Sequence, residues 1–327
     1  MGYIIRDGVI YGGGGSGGGD NIFHGTQAEW EQLSSAQKAS YDFAAFTDDY
    51  DPSSISNPNL LDNPWFTVNQ REKGDNWTSG YGVDRWLTVR LNSVVNADGS
   101  ISGTRTSTTQ ICYFMQRLPK GTLKNLVGRT VTLSALLSDN SIVKATHTLF
   151  DGWNSINVGN YMFGIDTTAN TEYDIFDFGL NPNSSIETFT VKAVKLELGS
   201  QSTLAMDTAP NYATELLKCQ RYFVRLKPNI GNTNVGIGFA CTTADLRVPI
   251  SLPCEMRTTP TLTKSGASHY KYTKTIASDA VSASDVLLSS INGTDATIRL
   301  IGTYNVSETY LVYVSTTSAY IDLSADL

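Results

Sequence analysis

Charge is scarce in this chain of 327 residues: only 17% are Asp, Glu, Lys or Arg, against about a quarter in an ordinary soluble domain. Ser, Thr, Asn, Gly and Tyr fill the gap, a mix that suits strands with neutral polar faces. No cluster of Lys and Arg occurs, and a nucleic-acid ligand needs one to displace counterions from phosphate, so neither DNA nor RNA is expected as a partner. Cysteine is sparse. Cys112, Cys219, Cys241 and Cys254 show no CxxC spacing and no neighbouring His, which argues against a zinc site and against a disulfide-stapled fold. Free thiols in a reducing cytoplasm are expected, with a Cys241–Cys254 bridge left open. The three histidines, His24, His147 and His269, share no motif with a Ser or Cys nucleophile. No apolar run approaches membrane-spanning length, and the N-terminus lacks the apolar core of a secretory signal. Membrane insertion is therefore not expected, and a role outside the cell implies exit by lysis or within a particle.

The formal charge of −7 is unevenly spread, because residues 20–51 hold seven acids against the single base Lys38. Ahead of that acidic stretch, Met1–Tyr11 alternates weakly around Asp7-Gly8 and reads as a hairpin. Seven glycines among residues 12–19 read as a tether, since no Gly-Lys-Ser/Thr closes the run as a phosphate loop requires. Thr26-x-x-Glu29 and Ser34-x-x-Gln37 both fit the capping box and predict two short helices. Helices this short need something to pack on.

From Asn59 the pattern turns to β. Strands are expected at Trp65–Val68, Arg85–Leu91, Gln110–Gln116, Thr130–Leu137, Tyr161–Ile165 and Glu187–Leu198. Pro210–Phe223 reads as a helix burying Leu216, Leu217, Cys219, Tyr222 and Phe223, and β structure resumes with Val235–Cys241, Leu246–Ile250, Ala296–Ile301 and Thr309–Val314. The expected fold is mainly β: an antiparallel, jelly-roll-like β-sandwich plus a second C-terminal β domain, with a small helical N-terminal module. The boundaries run 1–20 (attachment segment and Gly-rich linker), 21–56 (acidic helical module and linker), 57–208 (sandwich) and 209–327 (C-terminal β domain).

Three ordered stretches resemble tail-fibre and minor tail proteins of phages and prophages of Gram-positive, gut-type bacteria. The first is Gly25-Thr26-Gln27-Ala28-Glu29-Trp30 with Leu33, Lys38, Tyr41-Asp42 and Thr47-Asp48-Asp49. The second, Asn59-Leu60-Leu61-Asp62-Asn63 through Val83-Asp84-Arg85-Trp86, is similar to the opening of a jelly-roll module of carbohydrate-binding type. The third runs from Val194-Lys195-Leu196-Glu197-Leu198-Gly199-Ser200 to Cys219-Gln220-Arg221-Tyr222-Phe223 and looks like its close. The resemblance implies a homotrimeric receptor-binding subunit in a virion tail or extracellular particle. Its N-terminus would attach to tail or baseplate proteins, and its C-terminal end would meet host surface glycan. A secreted carbohydrate-binding adhesin and a cell-wall glycan depolymerase are the alternatives.

Sugar recognition uses exposed aromatic faces with amide and carboxylate groups around them. Trp77, Tyr81 and Trp153 are the candidates in the sandwich, and Tyr270 and Tyr272 share a strand face in the C-terminal domain. Trp86 reads as core. Glycoside hydrolysis needs two carboxylates at a defined separation, and no spacing among Asp84, Asp151, Asp166, Glu172, Asp174 and Asp177 selects a pair, so no enzyme is expected. Asp174 and Asp177 read as a solvated loop. No cofactor is expected beyond a weak calcium option at Asp151 and Asn154.

Overall fold

A computed structural model of the chain describes residues 3–6, 9–11, 22–25, 27–41, 43–46, 57–74, 77–228, 230–231, 233–274 and 280–327. The poly-glycine tether, the Thr26 cap and the Asp51–Ser54 linker lie outside these residues. Strands account for 47% and helices for 9%, so the protein is mainly β, as its composition and turn spacing predict.

The described residues before Asn59 form one compact unit. Its strands are β1 (Tyr3–Arg6), β2 (Val9–Tyr11), β3 (Ile22–Gly25) and β4 (Phe43–Phe46), with α1 (Gln27–Gln32) and α2 (Ser35–Lys38) between the last two. The expected hairpin is present as the antiparallel pair β1–β2. The Ser34 capping box forms, with Gln37 N–H donating to Ser34 Oγ and Ser34 N–H donating to Gln37 Oε1. Trp30 packs 6.0 Å from Tyr41, ring to ring, with the Lys38 ammonium 5.8 Å from its centroid. The helices are not alone: β4 pairs in parallel with both β1 and β3. A parallel pair needs a crossover, and the two helices supply it. Parallel pairing of this kind leaves no local signature in four-residue strands, and the sequence showed only the helices and the first hairpin.

The second unit comprises residues 59–204 and 208–327. Its first part holds ten strands: β5 (Trp77–Tyr81), β6 (Leu87–Val95), β7 (Ile101–Arg105), β8 (Cys112–Pro119), β9 (Thr130–Leu137), β10 (Ile142–Thr148), β11 (Trp153–Val158), β12 (Tyr161–Asp166), β13 (Tyr173–Leu180) and β14 (Thr188–Leu198). All pair antiparallel, in the order β10-β9-β14-β7-β6-β8-β13-β12-β11, with β5 beside β6. The sheet turns a corner inside β6. Residues 87–89 pair with β8, whereas residues 91–95 pair with β7. Arg90, between the two, takes φ +56°, and switching sheets at a bend is how one strand serves both layers of a sandwich.

The inward residues of both layers, among them Phe114, Phe163, Phe176, Phe178, Val131, Leu133, Val194 and Leu196, form one core. Trp86 is buried there, as expected of an aromatic in an alternating segment. Trp65–Val68 is not a strand, because Asn63 caps that segment with its own amide, bonding Val68 N–H, Val68 C=O and Asp84 C=O. On β14, Lys195 and Glu197 point away from the core yet are fully buried. Residues 199–204 fold over them: Thr203 N–H donates to Glu197 at 2.8 Å and Lys195 Nζ reaches Thr203 Oγ1 at 2.8 Å.

Helix α3 (Tyr212–Gln220) follows, N-capped by Asn211. It buries Glu215 and Cys219 but leaves Leu217 exposed. This corrects the expected apolar face, because Glu215 turns inward to accept Asn63 N–H at 2.8 Å. The C-terminal strands are β15 (Phe223–Leu226), β16 (Thr233–Thr242), β17 (Asp245–Ser251), β18 (Thr261–Lys264), β19 (Tyr270–Thr273), β20 (Val281–Ser282), β21 (Asp285–Asn292), β22 (Asp295–Ile301), β23 (Thr309–Val314) and β24 (Ile321–Ser324). They form a three-stranded sheet, β15-β24-β18, and a seven-stranded sheet, β20-β19-β23-β16-β17-β22-β21, around a second core.

Ionic contacts tie this second core to the sandwich. Arg71 bonds Asp84 at 2.8 Å and also Asp326. The Arg85 guanidinium stacks 3.4 Å from the Tyr222 centroid, and Arg117 and Tyr81 both donate to the Leu327 carbonyl. The boundary drawn at 208/209 is therefore a junction within one compact unit. All four cysteines are free, which closes the Cys241–Cys254 option.

Candidate functional site

The face of β6-β8-β13-β12-β11 turned away from the core carries an open groove of about 360 Å³, lined by Arg90, Thr109, Gln110, Ile111, Tyr113, Trp153 and Pro182. Strand register places these groups. Tyr113 stands opposite Gly179, and Gly179 opposite Met162. One row along, Asp177 stands opposite Gly164, and Trp153 opposite Asp166 in the next row. Side chains on one face lie two residues apart along a strand, so Tyr113, Gly179, Asp177, Gly164 and Trp153 share this face.

Two mid-strand glycines keep the floor low. A Cβ on Gly164 would sit 2.4 Å from Trp153 Cη2, and one on Gly179 would sit 2.1 Å from the Cys112 carbonyl. Glycine inside a strand marks a close approach by another group. Here it lets the Trp153 indole lie inward across β12 while remaining 40% exposed. Beneath that indole, the Asp177 carboxylate also comes within 3.1 Å of the missing Gly164 Cβ. Asp177 is buried, its Oδ1 has no hydrogen-bond partner, and burial pushes its carboxyl well above the usual range, aided by Asp166. Burial also raises the Tyr113 phenol, with Asp177 adding to the rise and the Arg90 guanidinium beside it opposing.

Of the five rings singled out by sequence, only Trp153 lies at this groove. Trp77 is 6% exposed, its ring filling the space over Gly82. Tyr81 belongs to the junction, where burial pushes its phenol up to about 12 and the Arg71 guanidinium lies 5.0 Å from its centroid. Tyr270 and Tyr272 are buried: Tyr270 donates to the Tyr320 carbonyl, and Tyr272 packs 4.5 Å from Tyr304. Trp77 and Tyr272 therefore offer no face to a sugar, and Tyr270, 1% exposed, lies in the wall of a second cleft in the C-terminal part. Alternation put Tyr270 and Tyr272 on one strand face but could not say that the face was the inner one.

Asp174 and Asp177 do not form a solvated loop; both are buried on β13. Asp174 accepts the backbone N–H groups of Gly121, Leu123 and Lys124, which makes it a brace for that turn. The calcium pair is engaged otherwise: Asp151 bonds Lys124 at 2.5 Å and Thr167 at 2.8 Å, and the Asn154 amide donates to Phe150 and Gly152 carbonyls. No group of three or more potential metal ligands occurs among the described residues. Sequence reading missed Arg90, Gln110, Tyr113 and Asp177 as a set, although the glycines inside β12 and β13 were a usable signal.

A second cleft of about 390 Å³ opens in the C-terminal part, walled by Leu226, Val235, Pro249, Ile250 and Ile321. Its lysine, Lys227, is held by both oxygens of Glu72 at 2.6 and 2.7 Å. The sandwich groove differs in offering an exposed ring with an amide, hydroxyls and a guanidinium around it, the donor set that orients a sugar. Among the described residues no helix is long and apolar enough to cross a membrane. No family model matches the chain, and no curated protein matches it.

Proposed function

We propose that the chain is a tail-fibre subunit of a phage or phage-derived particle that binds host surface glycan through the sandwich groove. The observation carrying this reading is Trp153: a half-exposed indole over Gly164, with Tyr113, Gln110 and Arg90 on the same groove. The ring face takes the C–H side of a pyranose, and the polar groups take its hydroxyls. The fibre role rests on the three ordered sequence resemblances. Homotrimer formation follows from that role, since several weak sites on one particle combine into avidity.

Pull-down of the purified chain on a panel of Gram-positive wall polysaccharides tests the reading. Retention is expected for the parent and loss of at least tenfold in affinity for Trp153→Ala and Tyr113→Ala; equal retention of both variants refutes the groove. Light scattering showing a monomer at micromolar concentration would refute the trimer.

One observation favours a depolymerase as second reading: Asp177, pushed toward its neutral form, lies near Asp166 on the groove face, as paired glycosidase carboxyls do. Asp177 is buried and does not line the groove, which favours binding without turnover. Release of reducing ends from any of the polysaccharides would decide for the enzyme.

A further inference from the structure

We infer that the groove selects a glycan carrying an anionic substituent, a carboxylate or a phosphate, which Arg90 holds while a neighbouring sugar ring lies on Trp153. This rests on reading the groove as a glycan site. Arg90 is exposed at the rim; its Nη1 donates to the Ile111 carbonyl at 3.3 Å, and its guanidinium also hydrogen-bonds the Tyr113 phenol. It forms no ion pair among the described residues. Other arginines of the same unit are committed: Arg71 to Asp84, Arg85 to Asp62, Arg105 to Glu187 and Arg225 to Asp322. A guanidinium has five donors in a planar fork that matches two oxygens of a carboxylate or phosphate, and no carboxylate among the described residues takes up the Arg90 fork.

Its placement is held by the fold. Arg90 occupies the left-handed corner where β6 leaves β8 for β7, and its carbonyl accepts Thr106 N–H at 3.0 Å. The backbone on either side is locked by pairing Val89 with Tyr113 and Leu91 with Arg105. An anion approaching this rim finds little opposing charge. Asp177, beneath the floor, is driven toward its neutral form by burial. Asp166 stands across from Trp153 on β12, with Oδ1 accepting from Thr168 N–H and Oγ1.

The test uses the full chain on an array of neutral, uronate-bearing and phosphate-bearing oligosaccharides, followed by titration of the hits. Charged glycans are expected to bind about tenfold tighter than neutral glycans of the same backbone. Raising salt should narrow that gap. In Arg90→Gln the preference should vanish, charged and neutral glycans of one backbone binding alike, and Arg90→Lys should restore part of it. Unchanged melting temperatures separate these effects from misfolding. Equal binding of charged and neutral glycans by the parent, with loss in Trp153→Ala, overturns the charge inference and leaves the groove reading standing. Retained preference in Arg90→Gln overturns it too, and binding unaffected by Trp153→Ala overturns both. Hits confined to uronates or to phosphates identify which oxyanion is read.

Discussion

Replacing Asp84 by Asn decides whether burial or ion pairing governs the junction between the sandwich and the C-terminal strands. Asp84 is fully buried; its Oδ1 accepts from Arg71 at 2.8 Å and its Oδ2 from Gln70 N–H at 2.6 Å. Those bonds favour the carboxylate. Burial nevertheless prevails and pushes the carboxyl from 3.8 up to about 6, with Asp326 adding to the rise. Between those two values the native state holds a proton that the unfolded chain has released. Stability therefore falls as pH rises through this window. Two pH units at about 1.4 kcal/mol each amount to roughly 3 kcal/mol, with no penalty below about pH 4 and the full penalty above about pH 7. Urea unfolding of parent and Asp84→Asn at pH 4.5, 5.5, 6.5 and 7.5 reads this directly. The variant minus parent difference should climb by about 2 kcal/mol across the series. Its offset is uninformative, because Arg71 loses one of two partners, but its slope belongs to Asp84. A flat difference would show that Arg71 keeps the carboxylate charged throughout and would refute the reasoning.

Further outcomes follow from the same geometry. Gly164→Ala should drive the indole out of the groove, read as a shift in Trp fluorescence and weaker glycan binding with little change in melting temperature. Trp77→Ala should destabilise by about 3–5 kcal/mol in urea unfolding, whereas Trp153→Ala should cost far less because its ring is half in solvent. A thiol reagent should modify Cys241 and Cys254 in the native chain, while the buried Cys112 and Cys219 should react only in denaturant. Excess chelator should leave the melting temperature unchanged, since Lys124 and backbone groups already occupy Asp151 and Asn154.

Local patterns carried much of the fold. Thr130–Leu137 and Thr309–Val314 appear as strands at the boundaries their alternation predicts. The Ser34 box forms as written. Lys195 and Glu197 show the limit of such reading: the alternation of β14 turns them away from the core, yet they are buried because a later segment folds across them. The groove was less legible. Trp153 was read from its type alone. Arg90, Tyr113 and Asp177 come from three strands whose neighbours are set by long-range pairing, so no spacing in the chain could bring them together.

The division is sharpest for the aromatics. Composition and alternation by themselves determined a β-rich, weakly charged protein with abundant Trp and Tyr on strand faces. A period of two separates the faces of a strand but does not say which one meets the core. Only the tertiary packing decided that Trp77, Tyr270 and Tyr272 turn inward while Trp153 turns out, because that choice rests on which strands pair and where β6 bends at Arg90.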